Sequence, residues 1–365
     1  MMTLCKTCSV ALVALLAILL VLSDSPGEIY RTIHVTVSSF IKGDKDRADL
    51  LPLAIKLRAT QRLLGKKCFV TGTSRGLGKA IAVDLLAHGC DTILAQRGGD
   101  LAYVQQLERA AREIICGSSS SVTSLSSSCV VGCGTLVPLD LSDLKSVDAV
   151  ISEISHPLDV VILNAAVIPM ETTLSSQGFE LSFAVNYLGH YYLTSLLRSH
   201  SLFTKVSPHG SRPKLIVITS EMHKMATELT TEEIGHVKEF GMSGSLERYA
   251  HSKICLTTST VQMAQQDHEV LEVLLYDPGP VATDIARNAP AWAKVVVDKM
   301  MQLTFKTAEE SAIPVGYLAA SPRSFPDAHY MLYWSNATVS PMAVNTTLQR
   351  LLEEKTRFLL APFRK

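Results

Sequence analysis

The stretch at 69–86, FVTGTSRGLGKAIAVDLL, sets an apolar run against three glycines and then a helical pattern. Gly72, Gly76 and Gly78 follow a predicted strand and open a predicted helix. The missing side chains let the backbone turn sharply and approach a ligand, while free N–H groups at the helix start face an anion. A pyrophosphate suits that description, although a glycine turn without any ligand is spelled the same way. What lies downstream has to decide between them.

From Lys66 onward, short apolar runs alternate with helical periodicity. The order is KCFVTG, then Lys79 to His88; TILAQ, then Leu101 to Ile115; LVPLDL; DVVILNAA, then a long helix from about Phe179 to Leu197; KLIVITS, then Tyr249 to Gln265; and VLEVLLYDPG. The runs lack strict alternation, as expected of strands buried on both faces. That predicts an α/β fold, a doubly wound parallel sheet of Rossmann type in a single domain. With 365 residues and 47% hydrophobic side chains, the chain is long enough to bury such a core. The reading divides it into a leader (1–23), an N-terminal extension (24–64), a Rossmann-type domain (65–330) and a C-terminal extension (331–365). Within the first extension, LPLAIKLRATQRLL reads as an amphipathic helix. CGSSSSVTSLSSSC, at 116–129, reads as a surface loop.

The leader speaks to location. Ser9 to Leu22, SVALVALLAILLVL, is uncharged, preceded by Lys6 and followed by SDSPGE, the layout of a secretory signal. It is short for a spanning helix of about 20 apolar residues, but counting from Thr7 lengthens it. A cleaved signal, an uncleaved signal-anchor and a buried core helix all stay open. The first two send the protein to the endoplasmic reticulum and endomembrane system, secreted or membrane-anchored. The sequons at Asn336 and Asn345 are glycosylation acceptors only if the domain is lumenal. Basic and acidic residues number 34 each with no basic block, so no nucleic-acid partner is expected. Neither Cys5 with Cys8 nor Cys129 with Cys133 has a second pair or histidines at metal-ligand spacing, so no metal site is expected.

Several residues fall where a dinucleotide needs them. The second strand ends in Gln96-Arg97, about 20 residues past the glycine turn, where an NAD site presents a carboxylate to the adenosine ribose. Here Arg97, and Arg75 inside the turn, are placed to hold a 2′-phosphate, which favours NADP over NAD. Against this, both arginines suit a solvated surface and Asp100 is near. Asp140, ending LVPLD, is a candidate acceptor for the adenine amino group or an ordinary turn former. Tyr249 and Lys253 share one helical face, and an ammonium beside a phenol favours the phenolate, useful for general acid–base work. Ser220 sits at the carboxyl edge of a strand, placed either to polarise a carbonyl or to cap a turn. Asn186 lies within the long helix, where it needs a partner and is alternatively a satisfied core amide.

Taken together, TGTSRGLG (71–78), LDL (139–141), LNAA (163–166), FAVNYLGHYYL (183–193), IVITS (216–220), YAHSK (249–253) and DPGPVATDI (277–285) make the chain resemble the short-chain dehydrogenase/reductase family. In order and spacing they cover roughly Lys66 to Ser321. GFELSFAVNYLGHYYLTSLL and SEMH make it most similar to the retinol dehydrogenase-like branch, with protochlorophyllide reductases as close relatives. The resemblance implies hydride transfer between nicotinamide and a carbonyl or alcohol carbon. Tyr249 would move the proton, Lys253 would lower its pKa and bind the nicotinamide ribose, Ser220 would polarise the carbonyl, and Asn186 would order a water-linked proton path. For the cofactor it implies Gly72, Ser74, Arg75, Gly76, Leu77 and Gly78 at the pyrophosphate turn. Asp140, Leu141, Asn164 and Ala165 would border the adenosine side, and Pro278, Gly279, Val281 and Thr283 would receive the nicotinamide end. Many relatives are dimers or tetramers, so a homo-oligomer is implied too. Three departures stand out: Ala166 where a glycine is common, Asp277 where His or Asn is common, and the serine-rich loop.

The expected substrate is a small lipophilic carbonyl or alcohol, of the retinoid, steroid or fatty aldehyde class, chosen for the membrane-directed leader and for two segments. The 28 residues between Ser220 and Tyr249 are long enough to roof a pocket. The stretch 286–305 reads as an amphipathic lid offering Trp292, Met300, Met301 and Phe305, or equally as core. Two rivals remain: a light-dependent protochlorophyllide reductase-like enzyme, and a non-catalytic NADP-binding sensor or scaffold.

Overall fold

The computed structural model describes residues 46–116, 130–208, 210–226, 228–230, 232–237, 239–241, 244–279, 281, 306–322 and 324–363. The leader, the loop at 117–129, Thr283 and the 286–305 segment lie outside these described residues.

One eight-stranded sheet runs through the domain in the order β3-β2-β1-β4-β5-β6-β7-β8. Strands β1 (Lys67–Thr71), β2 (Asp91–Gln96), β3 (Gly134–Pro138), β4 (Val160–Leu163), β5 (Lys214–Ile218), β6 (Glu272–Asp277) and β7 (His329–Leu332) are parallel, and only β8 (Ser335–Asn336) runs the other way. Each of the first six overlaps an apolar run picked out above, though β3 begins two residues before LVPLDL and β2 one residue before TILAQ. Alternate strand residues serve opposite cores. Phe69, Val161, Leu215 and Val273 face one, with α4 (Leu144–Val150), α5 (Gly189–Ser199), α6 (Ser245–Asp267) and α8 (Thr346–Leu360). Val70, Ile162, Ile216 and Leu274 face the other, with α1 (Arg47–Ala59), α2 (Gly76–Ala87) and α7 (Ala308–Ala320). Helix α3 (Leu101–Cys116) packs beside α2 at the β3 edge through Val104, Leu107 and Ala111. Coverage on both faces explains why the strands carry no polar alternation.

The packing is continuous across positions 64 and 330. Helix α1 buries Ala54 and Leu57, and its Arg58 reaches the buried Asp84 of α2 at 2.5 Å. Strand β7 straddles position 330, and on α8 Thr356 bonds the Tyr187 hydroxyl at 2.7 Å. The helix expected from Phe179 to Leu197 is interrupted: residues Phe183–Leu188 form a π-helical turn before α5 begins. Gly189 closes it, its N–H bonding Ala184 O, and a side chain at Gly189 would sit 2.5 Å from the Leu141 carbonyl. The wide turn thus brings this helix against the segment after β3. A disulfide joins Cys68 of β1 to Cys90 just before β2, a pairing the spacing alone did not suggest.

Strand order reverses between β1 and β4, which opens a crevice at the carboxyl ends of the strands. The site lies there.

Candidate active site

A single cavity of about 1260 Å³ spans that edge. It is lined at one end by Gly72, Ser74, Arg75, Gly76, Leu77 and Gly78, with Arg97, Asp140, Leu141, Asn164 and Ala165 alongside. At the other end it is lined by Ser220, Tyr249, Lys253, Pro278, Gly279 and Val281. Thr283 falls outside the described residues. Asn186 is not among the lining residues.

The glycine end is shaped by exclusion. Gly72 has φ +74°, and a Cβ there would lie 2.9 Å from Ala165. A Cβ on Gly78 would lie 2.1 Å from the Gly72 carbonyl and 2.4 Å from Asn164 Nδ2. The turn is therefore folded back on itself as tightly as backbone allows, with Asn164 Nδ2 donating to Thr71 O at 2.9 Å and Gly72 O at 3.3 Å. Arg75 precedes α2 in extended conformation with no side-chain cap, so the first N–H groups of that helix are left for a ligand. These features fit a dinucleotide pyrophosphate. Arg75 and Arg97 are exposed and enter no ion pair among the described residues. Asp100, the first carboxylate in sequence after β2, instead accepts from Tyr103 N–H at 2.9 Å and starts α3. Gln96 is spent on Thr73 Oγ1 at 2.8 Å. Asp140 folds onto Ser142, accepting from its N–H at 2.9 Å and its hydroxyl at 2.6 Å.

The other end is ionisable. Tyr249 and Lys253 share one face of α6, with Lys253 Nζ 5.6 Å from the phenol ring centroid and donating to Ile218 O at 2.9 Å. Burial pushes the Lys253 amine down to about 8, against the opposing pull of Asp277. Tyr249 goes the other way from expectation. Burial raises its phenol well above the ordinary value, the Asp277 charge raises it further, and only the hydrogen bond with Ser220 lowers it. The amine one helical turn away was expected to soften the phenol, but its charge is directed at the Ile218 carbonyl and matched by Asp277, so the proton stays on Tyr249.

Asn186 serves as a strut. Its Oδ1 accepts from Val167 N–H at 2.8 Å, and its Nδ2 donates to Val167 O at 3.0 Å and to Ser252 Oγ at 2.9 Å. Ser252 Oγ in turn donates to Tyr249 O at 2.7 Å. The amide thus ties the cavity wall after β4 to the Tyr249–Lys253 turn from behind. Its own carbonyl meets His190 Nδ1 at 3.2 Å, and His190 Nε2 meets Thr71 Oγ1 at 3.0 Å. Thr71 Oγ1 already accepts from Asn164 and Ala165 N–H, so its proton goes to Nε2 and the imidazole carries its own on Nδ1.

Sequence reasoning missed Val167, Ile168, Pro169 and Met170, with Leu181 and Val185, which give the cavity apolar lining. It also missed Tyr330 beside Asp277, for which no local signal exists, and gave no role to Glu221 of the quoted SEMH. Asp277 itself was visible as a departure, and His223 lies in the quoted SEMH.

No protein-family model matches the chain. Retinol dehydrogenase 14 of Mus musculus is 30% identical over 263 residues, covering 71% of this chain and 74% of its own. Human polyprenol dehydrogenase is 27% identical over 297 residues, covering 79% and 82%. Among solved structures, an uncharacterized protein from Mycobacterium paratuberculosis superposes with a TM-score of 0.56 at 20% identity, covering 82% of this chain and 94% of its own. Thermoplasma acidophilum aldohexose dehydrogenase gives 0.51 at 18% identity, covering 76% and 98%. The two structures agree with the fold, and the retinol dehydrogenase carries the kinship. The chain is an NAD(P)-dependent oxidoreductase of the short-chain dehydrogenase/reductase family, in its retinol dehydrogenase-like branch.

Proposed function

We propose that this enzyme reduces a lipophilic carbonyl with NADPH, Tyr249 acting as the proton donor. The observation that carries the reading is the shared cavity: a glycine turn suited to pyrophosphate at one end and the Tyr249–Ser220 pair at the other. The dinucleotide supplies the hydride. Gly72, Gly76, Gly78 and the start of α2 hold its pyrophosphate, and Pro278, Gly279, Val281 and Thr283 receive its nicotinamide end.

Ser220 and Tyr249 then act on the substrate oxygen. Burial favours the protonated phenol, the form that donates to the substrate oxygen. The Ser220 hydroxyl polarises the carbonyl as negative charge builds on it. Lys253 binds the nicotinamide ribose, and Asn186 sets the Tyr249 turn through Ser252. NADP is preferred over NAD because Arg75 and Arg97 border the cavity and pair with no carboxylate among the described residues, while Asp100 is committed to α3.

The apolar lining formed by Val167, Ile168, Met170, Leu181 and Val185 supports a retinoid, steroid or fatty aldehyde. The leader would hold the enzyme at the endoplasmic reticulum. Among the described residues no helix is long and apolar enough to cross a membrane. A Cys68–Cys90 disulfide suits an oxidising lumen, where the exposed Asn336 and Asn345 would be glycan acceptors. A glycosidase-sensitive mass shift on the expressed protein is the expected result there.

The decisive assay follows NADPH and NADH consumption against retinal, steroid ketones and long-chain aldehydes. Turnover with these carbonyls and a preference for NADPH is expected. Consumption only with small polar ketones would refute the substrate class, and pigment binding by absorbance would favour a protochlorophyllide reductase-like enzyme.

A further inference from the structure

Asp277 ends β6 and lines the cavity beside Lys253 and Pro278, yet it is only 2% exposed. Its two oxygens fasten separate segments. Oδ1 accepts from Gly279 N–H at 2.7 Å, closing the turn that carries Pro278. Oδ2 accepts from Glu221 N–H, the amide next to Ser220, and from the Tyr330 hydroxyl at 3.3 Å. That hydroxyl also lies 2.5 Å from Glu221 Oε1, so two carboxylates compete for one phenolic proton. Glu221 is held in place by Lys224 at 2.6 and 2.9 Å.

Every element packed around Asp277 brings a titratable group. The turn after β5 contributes Glu221, His223 and Lys224; α6 contributes Tyr249 and Lys253; β7 contributes Tyr330. His223 accepts from Ser340 N–H at Nε2, at 3.0 Å, and therefore donates from Nδ1 to Ser220 O at 2.6 Å. Burial pushes this imidazole down to about 4, so it stays neutral while the enzyme works. Burial and the neighbouring Glu221 push Asp277 up to about 6, and the Asp277 charge raises both Tyr249 and Lys253.

A buried carboxylate is costly unless its lone pairs are used, and here they are used to join two turns that border the reacting groups. An amide at this position has one acceptor oxygen and leaves either Gly279 or Glu221 N–H unpaired. We propose that Asp277 is a positioning residue, bolting the Ser220 turn to the Pro278–Gly279 turn and setting a buried negative charge beside Tyr249 and Lys253.

This inference rests on the reading of Tyr249 as proton donor, and the test separates the two. Steady-state kinetics of the full-length chain with NADPH and retinal are followed from about pH 5 to about pH 10. The variants are Asp277→Asn, Glu221→Gln and Tyr249→Phe. The wild type should lose kcat/KM on the acid side near about 6. Asp277→Asn should lack that acid limb, move the alkaline limb to lower pH, and lower kcat about 10- to 100-fold at neutral pH. Glu221→Gln should move the acid limb to lower pH, because the like charge beside Asp277 is gone. An Asp277→Asn profile with both wild-type limbs in place would overturn the inference alone, since a purely structural carboxylate lowers the rate equally at every pH. If that variant does not fold, an unmoved acid limb in Glu221→Gln overturns it. Absence of turnover in the wild type, or full activity in Tyr249→Phe, overturns the underlying reading and the inference with it.

Discussion

The two ends of the cavity are built from different materials. At the glycine end the walls are backbone and small polar groups: Gly72 and Gly78 pressed against Ala165 and Asn164, with charge confined to exposed arginines. At the Tyr249 end the walls are ionisable groups withdrawn from water, each shifted by burial and by the others. Steric exclusion is insensitive to pH and depends on neighbours a few residues away. Buried charge depends on pH and on partners from four separate segments. Cofactor seating should therefore be set by shape, and turnover by electrostatics.

The largest expected effect on the steric end is that of Gly78→Ala. Its new methyl meets the Gly72 carbonyl and Asn164, neither of which can retreat, so NADPH affinity should fall about 10- to 100-fold by fluorescence titration. Unchanged affinity would break the comparison at its simplest point. Next comes Asn186→Ala, which strands Val167 N–H and Ser252 Oγ; thermal unfolding should report a loss of about 1–3 kcal/mol. A drop in kcat larger than any loss of NADPH affinity should accompany it, because the strut holds the Tyr249 turn in place. Arg97→Ala should weaken NADPH about tenfold and leave NADH untouched, and equal weakening of both would refute the 2′-phosphate assignment.

The smallest and most gradual effect is on stability in acid. Burial pushes His190 down to about 3 and His223 and His251 down to about 4, each below the ordinary 6.5. Below about 6.5 the unfolded chain binds protons that the folded chain refuses. Stability should therefore be fully present above that pH and fall steadily as pH drops toward about 4. Urea midpoints that stay flat over this interval would contradict the buried neutral tautomers. NADPH affinity measured on the still-folded protein should change far less than turnover over the same range.

Legibility in the sequence follows the same division. The glycine turn, the six apolar runs and the Tyr249–Lys253 spacing are local patterns, and they anticipated the parallel sheet and the two ends of the cavity, while Leu141, Asn164, Ala165, Pro278, Gly279 and Val281 were named only through the family resemblance. Strand β7 escaped notice because HYML is too short to stand out, and its burial comes from pairing with β6 and β8 and from Tyr330 and Met331 packing into opposite cores. The π-helical turn at Phe183–Leu188 has no periodicity of its own, since it answers to Gly189 meeting Leu141. The direction of the Tyr249 shift was misjudged for a related reason. The helical spacing to Lys253 is written in the sequence, but the Ile218 carbonyl and the Asp277 carboxylate that claim the ammonium arrive from β5 and β6. Cys68 and Cys90 likewise become partners only once β1 and β2 are paired.

The central claim is that one cavity seats the dinucleotide by shape and works through the Tyr249 proton. Tyr249→Phe tests it when NADPH binding and retinal-dependent NADPH oxidation are measured on the same preparation. The account predicts binding within about twofold of wild type and turnover lowered by about 10³-fold. Turnover that survives the substitution, or binding that collapses together with it, would contradict the account.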